Sequence, residues 1–193
     1  TTDGTERGTR LVRDFEVGPG RSELLFMGGV KGHLCVRTKT QEKGDVFHRL
    51  SPDGRLLDAF QMDGIKEVAS VADLLVIVQE SPKGNKLWQS DGTTNGTTPV
   101  AHDRISVSGT KVWDNRFFFL TPSGKRDSNI FAEIKPDLRQ IIQHAVVSES
   151  GYWMENFRLA SGRIYWPRVK NGGSAWLSTV SEGSASPPSE LVI

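Results

Sequence analysis

The first residues in this chain that could do chemistry are carboxylates at recurrent positions. Asp3, Asp53 and Asp91 each precede a glycine, in "TDG", "SPDG" and "SDG". A second set, Asp73, Asp114 and Glu155, falls near the ends of strand-like runs. Two such acids held about 5–10 Å apart could act as the acid and base of a glycoside hydrolase. His33, His48, His102 and His144 stand far apart with no HxH or HExxH spacing, so no metal site is expected. Neither a GxSxG elbow nor a Walker-type glycine loop occurs, and no cofactor is expected. The lone Cys35, in "HLCVR", can form no internal disulfide and reads as a small buried strand residue.

Asp-Gly between two strand-like runs has a simpler physical use. Glycine accepts φ > 0, and the aspartate side chain takes up nearby backbone N–H groups, which together make a tight connection. On that ground Asp3-Gly4, Asp53-Gly54, Asp91-Gly92 and the downstream Gly96 are assigned to structural turns. Single acids such as Asp73, Asp114 and Glu155 read the same way, and no catalytic residue is assigned.

Turns imply strands on either side, and here the strands repeat. Measured between Asp3, Asp53, Asp91, Asp137 and Glu182, the turn recurs at intervals of 38 to 50 residues. That is the length of one four-stranded propeller blade. Each interval divides into four short runs, most clearly "IKEVASVAD", "LLVIVQES", "NKLWQSDG" and "TTPVAHD". The second run is the most apolar, as in "LLVIV" and "RFFFL", which suits a strand buried on both faces. The third recovers alternation, as in "NIFAEI", and the fourth is the most polar. The expected fold is therefore all-β: a β-propeller of about four four-stranded antiparallel blades in a single domain, 1–193. The units run roughly 15–62, 63–103, 104–146 and 147–193. Residues 1–14 supply an extra strand expected to close the ring beside the last blade's third strand, which would leave "SPPSELVI" as a departing tail. An arc of a larger propeller is the other arrangement that fits.

The phrases "LWQSDGTTNGTTPV" and "TTDGTERGTRLVRDFEVGPG" resemble the bacterial ELWxxDGT repeat, a hyalin-like repeat. Its pattern runs Glu-Leu-Trp-x-x-Asp-Gly-Thr-x-x-Gly-Thr, then Val-Lys-Asp-Ile and a Pro-Gly turn. Leu87, Trp88, Asp91, Gly92, Thr93, Gly96 and Thr97 match it, with Lys86 where Glu is usual. Asp3, Gly4, Thr5, Gly8, Thr9 and Leu11 to Phe15 follow it at the N-terminus, and Gly18-Pro19-Gly20 supplies the turn. The units ending at Asp53, Asp137 and Glu182 keep only the strand rhythm. The resemblance implies propeller blades in a secreted, periplasmic or cell-surface protein and implies no reaction.

The remaining features bear on partners. With 24 basic and 23 acidic residues the net charge is +1, and basic residues never run beyond two in a row, so nucleic acid is not an expected partner. No apolar run approaches the roughly 18–20 residues of a membrane helix, so direct membrane insertion is not expected. The chain opens at Thr1 without Met and reads as a trimmed product, a mature form or an excised domain. Asn95-Gly96-Thr97 is a glycosylation sequon, read here as a turn that happens to match. Aromatics gather in the second half. In Tyr152-Trp153 and Tyr165-Trp166 adjacent side chains must face opposite ways, so one of each pair leaves its sheet face. With Arg163 and Arg168 they form the candidate binding patch. The function expected is non-catalytic binding or scaffolding of a protein partner. Carbohydrate is the alternative ligand, and hydrolysis ranks third.

Overall fold

The computed structural model describes residues 4–9, 11–15, 22–40, 43–82, 85–100, 107, 109–122, 128–134, 141–148, 158–169, 175–181 and 189–192. All regular structure among them is β, in four antiparallel sheets of four strands each. The first holds β1 (Glu23–Val30), β2 (His33–Thr40), β3 (Gly44–Leu50) and β4 (Leu56–Gln61). The second holds β5 (Ile65–Val71), β6 (Leu74–Gln79), β7 (Lys86–Ser90) and β8 (Thr98–Pro99). β9 (Gly109–Trp113), β10 (Arg116–Pro122), β11 (Ser128–Ile134) and β12 (Ile141–Ser148) form the third. The fourth comprises β13 (Arg158–Ala160), β14 (Arg163–Val169), β15 (Ala175–Ser181) and β16 (Ser189–Val192). Strands follow one another in space as in sequence, so each sheet is a simple meander. Among the described residues each of the four sequence intervals holds one four-stranded sheet.

The first hairpin of every sheet turns in two residues. Lys31-Gly32, Ala72-Asp73, Asp114-Asn115 and Ser161-Gly162 all have positive φ at both positions, between 46° and 73°. Two left-handed residues make the hairpin turn whose twist matches that of its strands. Asp and Asn tolerate the conformation through local hydrogen bonding, and glycine carries no Cβ penalty. Asp73 and Asp114 are therefore exposed turn residues; Glu155 lies outside the described residues.

The described chain divides into two compact units. One spans Thr1–Pro82 with Lys86–Val100, the other Lys83–Asn85 with Ala101–Ile193. In the first unit, the second strand of each sheet is the most buried: Cys35 to Thr38 on β2 and Leu75 to Val78 on β6. Val30, Cys35, Phe47, Phe60, Ile65, Leu75 and Ile77 make its core, and the Phe47 and Phe60 rings stack at 4.9 Å. Burying each such aliphatic or aromatic side chain contributes about 1.5–3 kcal/mol. Between the first two sheets lies a polar clamp. Arg37 on β2 pairs with Asp45 on β3 at 2.9 Å and donates to the Ile65 carbonyl on β5 at 3.0 Å. In the second unit Phe117, Phe118, Phe119 and Leu120 are buried in succession on β10. Arg116 pairs there with the buried Glu133 on β11.

The chain termini differ from expectation. β16 pairs with β15 from Thr179↔Ser189 to Trp176↔Val192 and so occupies the outer edge of the last third strand. The described residues among 1–14 belong to no sheet. Val12 instead packs against Gly54, and Phe15 lies 4.6 Å from the His48 ring.

Candidate functional site

Among the described residues, polar side chains are densely bonded in the connection from β7 to β8, where the repeated phrase stands. The Asp91 Oδ1 atom accepts from the Thr93 amide at 3.1 Å and from the Thr93 hydroxyl at 2.7 Å. Thr93 Oγ1 in turn accepts the Gly96 amide at 2.9 Å. The Thr97 hydroxyl donates to the Thr93 carbonyl at 2.6 Å, which leaves Ser90 Oγ to donate to Thr97 Oγ1 at 2.7 Å. Ser90 Oγ also accepts the Gly92 amide at 3.0 Å. The hydroxyls of Ser90, Thr93 and Thr97 are thus spent within the corner. Gly92 has φ +85°, and a Cβ on Gly96 would collide with the Asp91 carboxylate, so each glycine is required for its own reason.

The N-terminal copy folds the same way. Thr5 Oγ1 accepts the Gly8 amide at 3.0 Å, the Thr9 hydroxyl donates to the Thr5 carbonyl at 2.7 Å, and the Thr9 amide donates to the Glu6 carbonyl at 3.2 Å. In the second copy Thr97 N to Thr94 O completes the same set at 3.4 Å. Gly4, at φ +90°, matches Gly92; Asp3 lies outside the described residues. The "SPDG" corner solves the problem differently. Ser51 bonds the Arg55 backbone through both its amide and its hydroxyl, its hydroxyl also meets Asp53, and the Gly54 amide closes onto the Ser51 carbonyl at 2.8 Å. Gly54 keeps φ +88°.

Two of these corners are seated on neighbouring chain. Beneath Gly92 lies Cys35 of β2, whose Sγ would stand 2.5 Å from an added Cβ, with the Arg49 side chain of β3 beside it at 3.3 Å. Burial pushes the Cys35 thiol up to about 11; Arg49 works against the rise and Asp91 adds to it. A thiol so held is inert. Lys31, 3.9 Å away, makes a loose ion pair with Asp91. Burial would raise the Asp91 carboxyl, but the two Thr93 bonds, Lys31 and Arg49 prevail and hold it below the usual range. The exposed Asp53 is also held low, chiefly by the Ser51 hydroxyl. A latch completes the joint: Asp58 on β4 accepts the Thr94 amide at 2.9 Å and its hydroxyl at 3.3 Å. Cys35, Arg49 and Asp58 carry no local sequence signal for these roles, since their partners lie 36 residues or more away.

The aromatic patch is only partly in view. Tyr152 and Trp153 lie outside the described residues. Tyr165 is half-buried on β14, paired with Arg158 on one side and Thr179 on the other. Trp166 and Arg168 fall on the same strand. Arg163 donates to Thr179 Oγ1 at 3.1 Å, a cross-strand structural bond. Elsewhere in that unit Trp113 lies under Arg158 at 5.2 Å and Lys111 at 5.8 Å. Among the described residues no group of His, Cys, Asp or Glu could hold a metal ion. His48, half-buried, bonds Thr38 Oγ1 at 2.9 Å, and its Nδ1 is buried without a partner. Burial first, then Arg13 and Lys43, hold its pKa below the ordinary value.

No protein-family model and no curated protein matches the chain. Among solved structures, an exo-β-1,3-galactanase from Phanerochaete chrysosporium, crystallised with β-1,3-galactotriose, is similar over 85% of this chain at 8% identity and a TM-score of 0.39. The chain spans 48% of that protein's length. At this level the likeness assigns nothing to this chain.

Proposed function

We propose that this chain is part of a β-propeller of the ELWxxDGT-repeat type, outside the cytoplasm, that binds or scaffolds a partner protein and catalyses nothing. One observation carries the reading. The residues most suggestive of chemistry, Asp91, Thr93 and Thr97, are consumed by the bonds of their own corner, and the bonds made by the two threonines recur at Thr5, Gly8 and Thr9. A group committed to two short hydrogen bonds in a joint is a poor nucleophile or base, because leaving the joint forfeits those bonds. Four meanders of one pattern, each opened by the same two-residue turn, support the blade reading. The test is affinity capture from the extracytoplasmic fraction of the source organism, run beside a glycan array and oligosaccharide turnover assays. The expected result is one protein retained in stoichiometric amount and still retained by Asp91→Asn. Binding on the array, or turnover abolished by Asp91→Asn, would overturn the proposal.

A further inference from the structure

Asn95 stands exposed at the tip of the β7–β8 connection, directly before Gly96. An asparagine followed by glycine is chemically labile, because the following backbone nitrogen meets little steric hindrance in attacking the side-chain amide. Two features of the corner bear on that attack. The Gly96 N–H is donated to Thr93 Oγ1 at 2.9 Å, and that hydroxyl gives its own proton to the Asp91 carboxylate at 2.7 Å. The nitrogen that must lose its proton is thus held by a hydrogen bond and lies beside a negative charge, which disfavours a second anion there.

We propose that Asn95 is a modification site, deamidated through attack by the Gly96 nitrogen, and that the Asp91–Thr93 pair holds this reaction in check while the corner is closed. The step balances without an added oxidant or reductant. Gly96 N loses its proton and bonds to Asn95 Cγ, ammonia leaves, and water opens the cyclic imide to aspartate or isoaspartate. Either product places a new carboxylate in a loop that already holds Asp91 and is latched by Asp58. The isoaspartate product also inserts a methylene into the backbone between residue 95 and Gly96. Gly96 already lies hard against the Asp91 carboxylate, which occupies the space of a Gly96 Cβ, so a shift of its backbone disturbs that contact. Modification therefore loosens β8 and the joint to the first sheet, and it is irreversible without a repair enzyme.

The experiment incubates the purified chain in mildly alkaline buffer and follows the mass gain of the peptide containing Asn95, for the native protein, the protein in urea, Thr93→Val and Thr93→Ser. Native protein is expected to react more slowly than urea-unfolded protein by on the order of tenfold or more, the factor that one hydrogen bond of ordinary net strength corresponds to. Thr93→Val should approach the unfolded rate, and Thr93→Ser, which keeps the hydroxyl, should stay near the native one. Equal rates in native and unfolded protein would overturn the proposal. So would a Thr93→Ser variant that is folded by circular dichroism yet reacts as fast as unfolded chain, a comparison that stands even if Thr93→Val fails to fold.

Discussion

Gly4, Gly54 and Gly92 share a backbone conformation, with φ of +90°, +88° and +85°, yet they sit in three different surroundings. Around Gly4 an added Cβ would meet nothing within 4 Å. Gly54 faces Val12, on a segment that belongs to no sheet, and Gly92 faces Cys35 and Arg49, on two paired strands. The same short phrase therefore leaves open space beside its glycine in one place and seats that glycine on paired strands in another. Local sequence sets the turn, and the neighbour sets what the turn is worth.

That contrast is sharpened first by an alanine series. Gly92→Ala should cost about 3 kcal/mol, combining left-handed strain with overpacking against a strand pair that cannot move aside. Gly54→Ala should cost about 1–2 kcal/mol, because Val12 can yield, and Gly4→Ala no more than about 1 kcal/mol of backbone strain. Urea unfolding at fixed pH measures all three. Equal losses would mean that the seat contributes nothing. Next in size, Thr93→Val should lose about 1–2 kcal/mol, since it orphans the Gly96 amide and one bond to a carboxylate. Thr5→Val, at an exposed corner, should fall within about 0.5 kcal/mol of the wild type by the same assay.

Acid separates the elements further. Asp53 and Asp91 titrate below their ordinary 3.8 in the fold, so the unfolded chain takes up protons first and stability falls as the pH drops below that value. His48 titrates below its ordinary 6.5, so again the unfolded chain protonates first, and stability begins to fall as the pH drops through 6.5. Melting temperature followed against pH should show both declines, with His48→Gln removing the upper one and Asp91→Asn reducing the lower. The smallest effect is chemical. Cys35 should resist thiol reagents in the native protein and react measurably faster in Gly92→Ala, where the corner no longer seals it.

The strands were legible because hairpins are local. Alternation, the apolar second runs and the Asp-Gly dipeptides each act over a few residues, and each of the four intervals they mark out holds a four-stranded sheet, whereas the strand expected in 1–14 is absent from its described residues. The edge of β15 was not legible, because whether 1–14 or 189–192 pairs there is decided by long-range packing. Likewise the sequence around Arg37 and Asp45 carries no local signal of their pairing, which the β2–β3 register brings about. The corner's chemistry was half visible. The turn role of Asp91 follows from its neighbours in sequence, but its place above Cys35 and its latch to Asp58 depend on a sheet formed earlier in the chain. Of the aromatic patch, Arg163 bonds across its own sheet to Thr179, and Tyr165 is half-buried on the same strand.

The most direct test is a proton–proton proximity measurement by NMR, between the Gly92 α-protons and the Cys35 β-protons. A seated corner brings them together, so a strong cross-peak is expected in the wild type, with a companion between Gly54 and the Val12 methyls. Well-resolved resonances for both residues with no cross-peak between Gly92 and Cys35 would contradict the account, leaving the repeated phrase a surface turn with its acids free for other work.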